Sequence, residues 1–321
     1  MSFLVLLRDG LRAALAQTPL AYREKHARWI MAQQRPEGGF ANRRGEPDLY
    51  YTAFALRSLS TLGRLDTETA QRAMRFLLDR LEQPEAARVK QPRGALCDAV
   101  MATSWWDSLA LCEEVLGPQL DAARRADARA ATSARLSALR RPDGGWAKTD
   151  VDAAGSLYHT FLVVCVYLRT EQEPPQPEQA LAFLHALARK DGGFLENRYS
   201  KRPGTNGCAA GVGLSVLLGH LEGLEPHAAF LAGMRNAEGG FCATAGAPMA
   251  DLLSTYTALI TLGILDKLEP PLAAAGLRYA RGLEAADGGY VGFALETTPD
   301  CEYTFYGLGV EGLALQAGVK V

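Results

Sequence analysis

The sequence predicts an all-α fold, a closed (α/α)6 toroid of six helical hairpins with Gly-Gly-aromatic loops. Three observations carry this expectation. An acid-Gly-Gly-aromatic phrase recurs at 37–40, 143–146, 191–194, 238–241 and 287–290. A second phrase, Asp-x-x-x-Thr, follows it in PDLYYT (47–52), ADLLST (250–255) and PDCEYT (299–304). Amphipathic stretches longer than ten residues alternate with stretches that are apolar on every side, and the strict alternation of a β-strand is nearly absent.

The first glycines of the loops fall at 38, 144, 192, 239 and 288, so the gaps are 106, 48, 47 and 49 residues. The first gap is close to twice the others, and PRGALCDAVM at 92–101 sits where a decayed sixth copy belongs. A period near fifty suits one helical hairpin per repeat.

In chain order, residues 1–19 form an N-terminal helix or extension, 20–317 hold the six repeats, and 1–321 make one toroid domain. The first helix of each hairpin, as in AYREKHARWIMAQQ (21–34) and EQALAFLHALARK (178–190), is charged on one face and belongs outside. Gly-Gly then ends the helix and turns the chain, and its aromatic can plug the gap between neighbours. The second helix, as in TAFALRSL (52–59), TYTALITL (255–262) and TFYGLGVE (304–311), is apolar nearly all round and belongs inside. An open α-solenoid is the alternative, but its units are shorter and lack the Gly-Gly-aromatic loop. Aligned on these helices, the starting positions are Asp48, Met101, Ser156, Asn206, Asp251 and Asp300, mostly N-capping types.

Bulk properties remove several function classes. With 48% hydrophobic residues, 22% charged residues and a net charge of −2, the chain can bury a large core and has no electrostatic reason to bind nucleic acid. The six cysteines contain no CxxC and fall mostly in apolar patterns, as buried thiols of a reducing compartment do. The N-terminal apolar run stops at Arg8 and is too short for a membrane span, so the expected location is cytoplasmic.

The repeated GGF or GGW loops followed by Asp-x-x-x-Thr-x-x-Ala-Leu resemble the prenyltransferase and squalene-cyclase repeat of protein prenyltransferase β subunits and class II terpene cyclases. The resemblance spans about residues 20–317. It implies a toroid whose central aromatic cavity binds an isoprenoid or terpenoid. Prenyl transfer in that family uses zinc held by a capping Asp in the fifth repeat, a Cys two residues on, and a His in the sixth. Those positions here are Asp251, Leu253 and Tyr303, so only the aspartate is retained, and no zinc cofactor is expected. Cys301 or Cys242 would be an unorthodox replacement ligand. The family's diphosphate grip finds its cations one repeat early, as Arg198, Lys201 and Arg202, with Cys208 at the family's His position; Arg43 and Arg44 are weaker candidates. Mg²⁺ would accompany a prenyl diphosphate substrate, and a separate helical-repeat protein would be the partner.

The cyclase branch implies a different chemistry. Its DxDD acid protonates an alkene or epoxide, and DCEYT at 300–304 places Glu302 at the middle position with Tyr303 in place of the last acid. Asp150 and Asp152 form a looser match in a loop. Tyr51, Phe54, Trp105, Trp106, Tyr158, Phe161, Tyr256, Tyr303, Phe305 and Tyr306 fall in the first turns of the inner helices and would line the cavity. His159 departs from the repeat as a candidate acid, base or phosphate donor. With Asp251, Glu302 and Tyr303 it completes the candidate catalytic set. Three functions stay open: a zinc-free prenyl transferase, an acid-initiated cyclase using Glu302, and a non-catalytic toroid that binds lipid or protein.

Overall fold

A leading helix, α1 (Phe3–Leu15), precedes six outer helices: α2 (Leu20–Met31), α4 (Thr67–Glu82), α6 (Ala122–Ala138), α8 (Pro177–Leu187), α10 (Glu225–Ala232) and α12 (Pro270–Arg281). Each is followed by an inner helix: α3 (Leu49–Thr61), α5 (Ala99–Leu116), α7 (Leu157–Arg169), α9 (Thr205–Leu217), α11 (Leu252–Ile264) and α13 (Cys301–Gln316). The computed structural model describes residues 3–82 and 96–320, with side chains from residue 6. Each inner helix packs on the next, and α13 packs on α3, so the inner ring closes. The degenerate loop expected at 92–101 lies outside the described residues as far as 95.

The Gly-Gly loops are the seams between repeats. Gly38, Gly144, Gly192, Gly239 and Gly288 all have positive φ, between 87° and 105°. A side chain on them would strike the backbone of the next outer helix, at the carbonyls of Arg72, Gln179, Pro226, Ala275 and Lys25 respectively. Four residues beyond each carbonyl stands an aromatic, Phe76, Phe183, Phe230, Tyr279 or Trp29, whose ring lies against the second glycine. Glycine is required twice over, for left-handed backbone and for close approach. The second repeat lacks the Gly-Gly phrase, and its receiving helix α6 carries Arg135 where the aromatic would stand. Arg135 Nε donates instead to the Cys97 carbonyl at 2.6 Å, so the seam is made by a hydrogen bond.

Asp-x-x-x-Thr is a two-ended clip. Asp48, Asp251 and Asp300 each accept an N–H of the first helical turn, from Tyr51, Ser254 and Tyr303. Thr52, Thr160, Thr255 and Thr304 are buried, and each Oγ1 donates to the carbonyl of its cap residue. The same Oγ1 accepts from the N–H of the loop aromatic, Phe40, Trp146, Phe241 or Tyr290, at 2.8–3.1 Å. One hydroxyl thus ties the turn to the helix start and satisfies a buried amide worth about 1–3 kcal/mol if left alone.

Two expected starting positions are corrected. The fifth helix begins at Asp98, whose carboxylate accepts from the Met101 N–H, so Met101 lies in its first turn. The ninth begins at Gly204, and Asn206 turns inward to accept from Thr257 Oγ1 at 2.7 Å. A phrase with no Thr left the register of these two copies open, and capping geometry decides it.

The ring closes through α2. Glu284, before the last loop, accepts from Lys25 and from His26 Nε2, and His26 Nδ1 accepts the Gly289 N–H at 3.1 Å, which fixes the imidazole tautomer. Tyr22 and Tyr290 join hydroxyls at 2.9 Å. At the opposite end α1 packs on α3 and α13, with Leu11 against Gly312, and Arg8 pairs with Glu114 at the end of α5. It therefore lies across the C-terminal ends of the inner helices.

Candidate functional site in the toroid lumen

An inner helix is sandwiched between two inner neighbours and the outer ring, so only its axis-facing stripe can meet solvent. That stripe is visible in the burial pattern. On α3 it comprises Tyr50 and Arg57, with Phe54 buried between them; on α7, Tyr158, Phe161 and Arg169; on α13, Glu302 and Phe305. Tyr158 is 40% exposed although it begins an interior helix. Electrostatics agree, because Tyr158 on α7 and Tyr50 on α3 both lie within electrostatic reach of Glu302 on α13.

Glu302 occupies the first turn of α13. Its Oε1 accepts from the Tyr50 hydroxyl at 2.7 Å and, more weakly, from Tyr306 at 3.4 Å. Burial pushes the Glu302 carboxyl above its ordinary range, against the opposing pull of the Tyr50 hydrogen bond and with added repulsion from Asp300. The proton is retained at a pH where an exposed glutamate has lost it. Around it, Phe54 meets Phe305 and Tyr306 at ring-centroid distances of 5.5 and 5.4 Å, and Tyr256 stacks on Tyr306 at 5.4 Å. Burial raises the phenols as well, Tyr158 and Tyr256 both to about 12, so they remain neutral donors.

Deeper along the axis, Arg57, Asp107 of α5 and Arg169 form an ionic group. Asp107 Oδ1 accepts from Arg169 Nε at 2.8 Å, and Oδ2 accepts from Arg57. Burial alone would raise the Asp107 carboxyl, but the two guanidinium groups outweigh it and hold it low. None of these three was singled out from sequence. The available signal was a lone charge inside an otherwise apolar inner helix.

A separate cavity of about 340 Å³ opens at the rim between the third and fourth repeats, lined by Lys148, Asp152, Ser156, His159, Glu196, Asn197 and Tyr199 among others. His159 belongs here, with Nδ1 2.7 Å from Ser156 Oγ, and burial lowers its basicity. Ser156 Oγ donates to Glu196, whose carboxyl is raised by burial. Asp152 accepts both the N–H and the hydroxyl of Thr149, and Asp150 pairs with Arg135, so this loop match is a turn whose two acids are engaged separately.

Several expected site residues are elsewhere. Trp105 and Trp106 are buried and turn outward, donating to the Leu77 carbonyl on α4 and to Thr132 Oγ1 on α6. Cys208 is fully buried at the Thr position of its repeat, beneath the Gly192 carbonyl, with its thiol raised by burial to about 12. Neither tryptophan nor this thiol lines the lumen. Their apolar neighbours on the ring seams explain the placement. Tyr51 and Tyr303 lie at the rim beside Arg43, which spans the first and sixth repeats by donating to Asp300 at 2.8 Å and Glu296 at 3.1 Å, with its guanidinium over the Tyr303 ring. Arg198, Lys201 and Arg202 are exposed, and Arg198 donates to the Ala153 carbonyl and the Tyr199 hydroxyl.

The donor set does not fit zinc. Both Asp251 oxygens are engaged by Ser254, Leu253 offers only hydrocarbon, and burial holds the Tyr303 phenol up at about 12. Burial raises the Cys242 and Cys301 thiols as well.

A double ring of helices whose inner ring closes on itself defines an α/α toroid. The profile of the prenyltransferase alpha-alpha toroid domain matches residues 4–90, 100–248 and 225–317, and the chain belongs to that family. Among solved structures it is similar to protein geranylgeranyltransferase-I of Candida albicans complexed with GGPP, at 12% identity over 89% of each chain and a TM-score of 0.65. It is also similar to the type II terpene cyclase MstE from Scytonema, at 14% identity over 96% of this chain and 99% of that one and a TM-score of 0.63. A variant of that cyclase in complex with geranylgeranyl dihydroxybenzoate aligns at 13% identity over 98% and 100%, again with a TM-score of 0.63. At such identities the likeness establishes the fold. No protein of the curated set matches the chain. Among the described residues, no helix is long and apolar enough to cross a membrane.

Proposed function

We propose that the chain binds an isoprenoid or terpenoid in its lumen and starts an acid-initiated cyclisation, with Glu302 giving its proton to an alkene or epoxide. The observation that supports this reading is the geometry of the Glu302 carboxyl, set beside an aromatic wall with Tyr50 donating to its Oε1 and raised by burial above its ordinary range. On protonation the alkene π electrons form the new C–H bond, and the carboxylate left behind keeps the Tyr50 hydrogen bond. The carbocation faces the rings of Phe54, Phe305 and Tyr256, whose negative faces stabilise positive charge. Transfer of a proton from the cyclised cation to water completes the reaction with no change in oxidation state, and Glu302 regains its proton from solvent. The Scytonema neighbour carries a geranylgeranyl compound and the Candida neighbour a geranylgeranyl diphosphate, consistent with an isoprenoid ligand here.

Prenyl transfer is the second reading, favoured by the exposed cations of the fourth loop, where Arg198, Lys201 and Arg202 would grip a diphosphate with Mg²⁺. The two separate in one experiment. Glu302→Gln should lower cyclisation of a prenylated substrate by about 100-fold or more while binding persists, and a chelator should leave the wild-type rate intact. Release of pyrophosphate with undiminished turnover in that variant would instead establish transfer and sink the acid mechanism.

A further inference from the structure

The Arg57–Asp107–Arg169 group carries two cations and one anion, a net charge of +1. Its side chains are 23%, 15% and 21% exposed although they lie on inner helices, so the group is not sealed from water. Arg57 on α3 acts electrostatically on Tyr158, Tyr256 and Tyr306, which sit on α7, α11 and α13, and this locates its charge near the toroid axis. Each guanidinium has five N–H donors. Among the described residues Arg57 gives one to Asp107 and lays its face over the Phe54 ring at 5.3 Å, and Arg169 gives one to Asp107. The remaining donors have no other hydrogen-bond partner in the protein among the described residues, and α1 packs across α3 and α13 at that end of the ring.

We infer that this group is an anion subsite for the carboxylate head of an acidic terpenoid, with Arg57 and Arg169 as its ligands. The inference rests on the isoprenoid reading of the lumen. Charge balance selects the head group, since a monoanion neutralises the +1 group, whereas a diphosphate would leave excess negative charge in a space of low polarity. A planar guanidinium fork also matches a carboxylate in two-point contact. Seven residues of α3 separate Tyr50, at the level of Glu302, from Arg57, or about 10 Å along the axis. The substrate is therefore an unsaturated isoprenoid chain whose reacting double bond lies that far from its carboxylate.

The test compares farnesoic acid, farnesol and farnesyl diphosphate as calorimetric ligands of the full chain. The acid should bind about tenfold or more tighter than the alcohol, and the diphosphate no tighter than the acid. In Arg169→Gln, with its fold checked by circular dichroism, the acid-to-alcohol ratio should fall to about one. In Asp107→Asn, which keeps both cations and removes their anion, the ratio should widen. Equal binding of acid and alcohol by the wild type, or a ratio that survives Arg169→Gln, would overturn the subsite, and a preference for the diphosphate would overturn the monoanion assignment. If Arg169→Gln does not fold, the wild-type ratio and Asp107→Asn still decide. Failure of all three ligands to bind would remove the isoprenoid reading along with the inference, whereas alcohol binding without acid preference removes the inference alone.

Discussion

Asp300 and Glu302 stand two residues apart on one helical turn, yet only one of them meets the lumen. Asp300 is spent on the Tyr303 N–H and on Arg43, while Glu302 is held by Tyr50 and Tyr306. The raised Glu302 carboxyl has a stated sign. Its folded-state value lies above the ordinary 4.5, so its contribution to stability is complete below that value and is lost as pH rises through the folded one. Glu302→Gln should therefore raise the melting temperature near neutral pH even as turnover disappears, and a thermal melt series across pH reads this directly. Tyr50→Phe should also slow the chemistry: losing a donor to the developing carboxylate lowers the rate by about tenfold or more and moves the alkaline limb of the rate profile to higher pH. An unchanged limb would show that Tyr50 does not touch the acid. Glu302 was legible as a departure from a repeated phrase, but Tyr50 was not, because its role depends on a contact 252 residues away.

At the scale of the element, the unit of stability is the seam: Gly-Gly, its aromatic, the threonine clip and the aromatic of the next outer helix. In sequence that last aromatic precedes the first glycine of its own loop by nine residues in Trp29, Phe183, Phe230 and Tyr279. It is a regularity of the repeat whose purpose is visible only once neighbours are stacked. Arg135 occupies this register on the helix that receives the degenerate loop, so loss of the phrase and loss of its receptor go together. Two alanine substitutions separate backbone strain from seam packing. Gly219, with φ of +74° and nothing near an added Cβ, should cost about 1–2 kcal/mol as alanine. Gly239, with φ of +94° and the Ala275 carbonyl 2.7 Å from such a Cβ, should cost clearly more, roughly 3 kcal/mol or above. Denaturant unfolding of both variants checks the difference, and equal costs would mean that the seam yields freely.

For the whole molecule, closure is the event that turns six hairpins into a lumen. The last loop docks on α2 as each earlier loop docks on its successor, and here the packing is supplemented by Glu284 with Lys25 and His26. Burial would raise Glu284, but the hydrogen bonds from His26 and Lys25 outweigh it and hold the carboxyl down at about 2. Because that value lies below the ordinary one, its stabilisation is present above pH 4.5 and is lost as pH falls through about 2. Glu284→Gln should be less stable than wild type at neutral pH, and the two acid-unfolding curves should converge toward pH 2. A constant gap across that range would assign the loss to packing instead of charge.

The sequence by itself determined the helical hairpin, its count and the ring, because a residue needed for a turn or a cap must recur wherever that turn recurs. It also marked Glu302, the acid that breaks the pattern. Only the tertiary structure decided which faces look inward: it turned Trp105 and Trp106 out, buried Cys208, started two helices at Asp98 and Gly204, and joined Arg57, Asp107 and Arg169 from three helices. The physical reason is that periodicity encodes how a helix meets its immediate neighbours, whereas a lumen is shared by helices that meet only after the ring has closed.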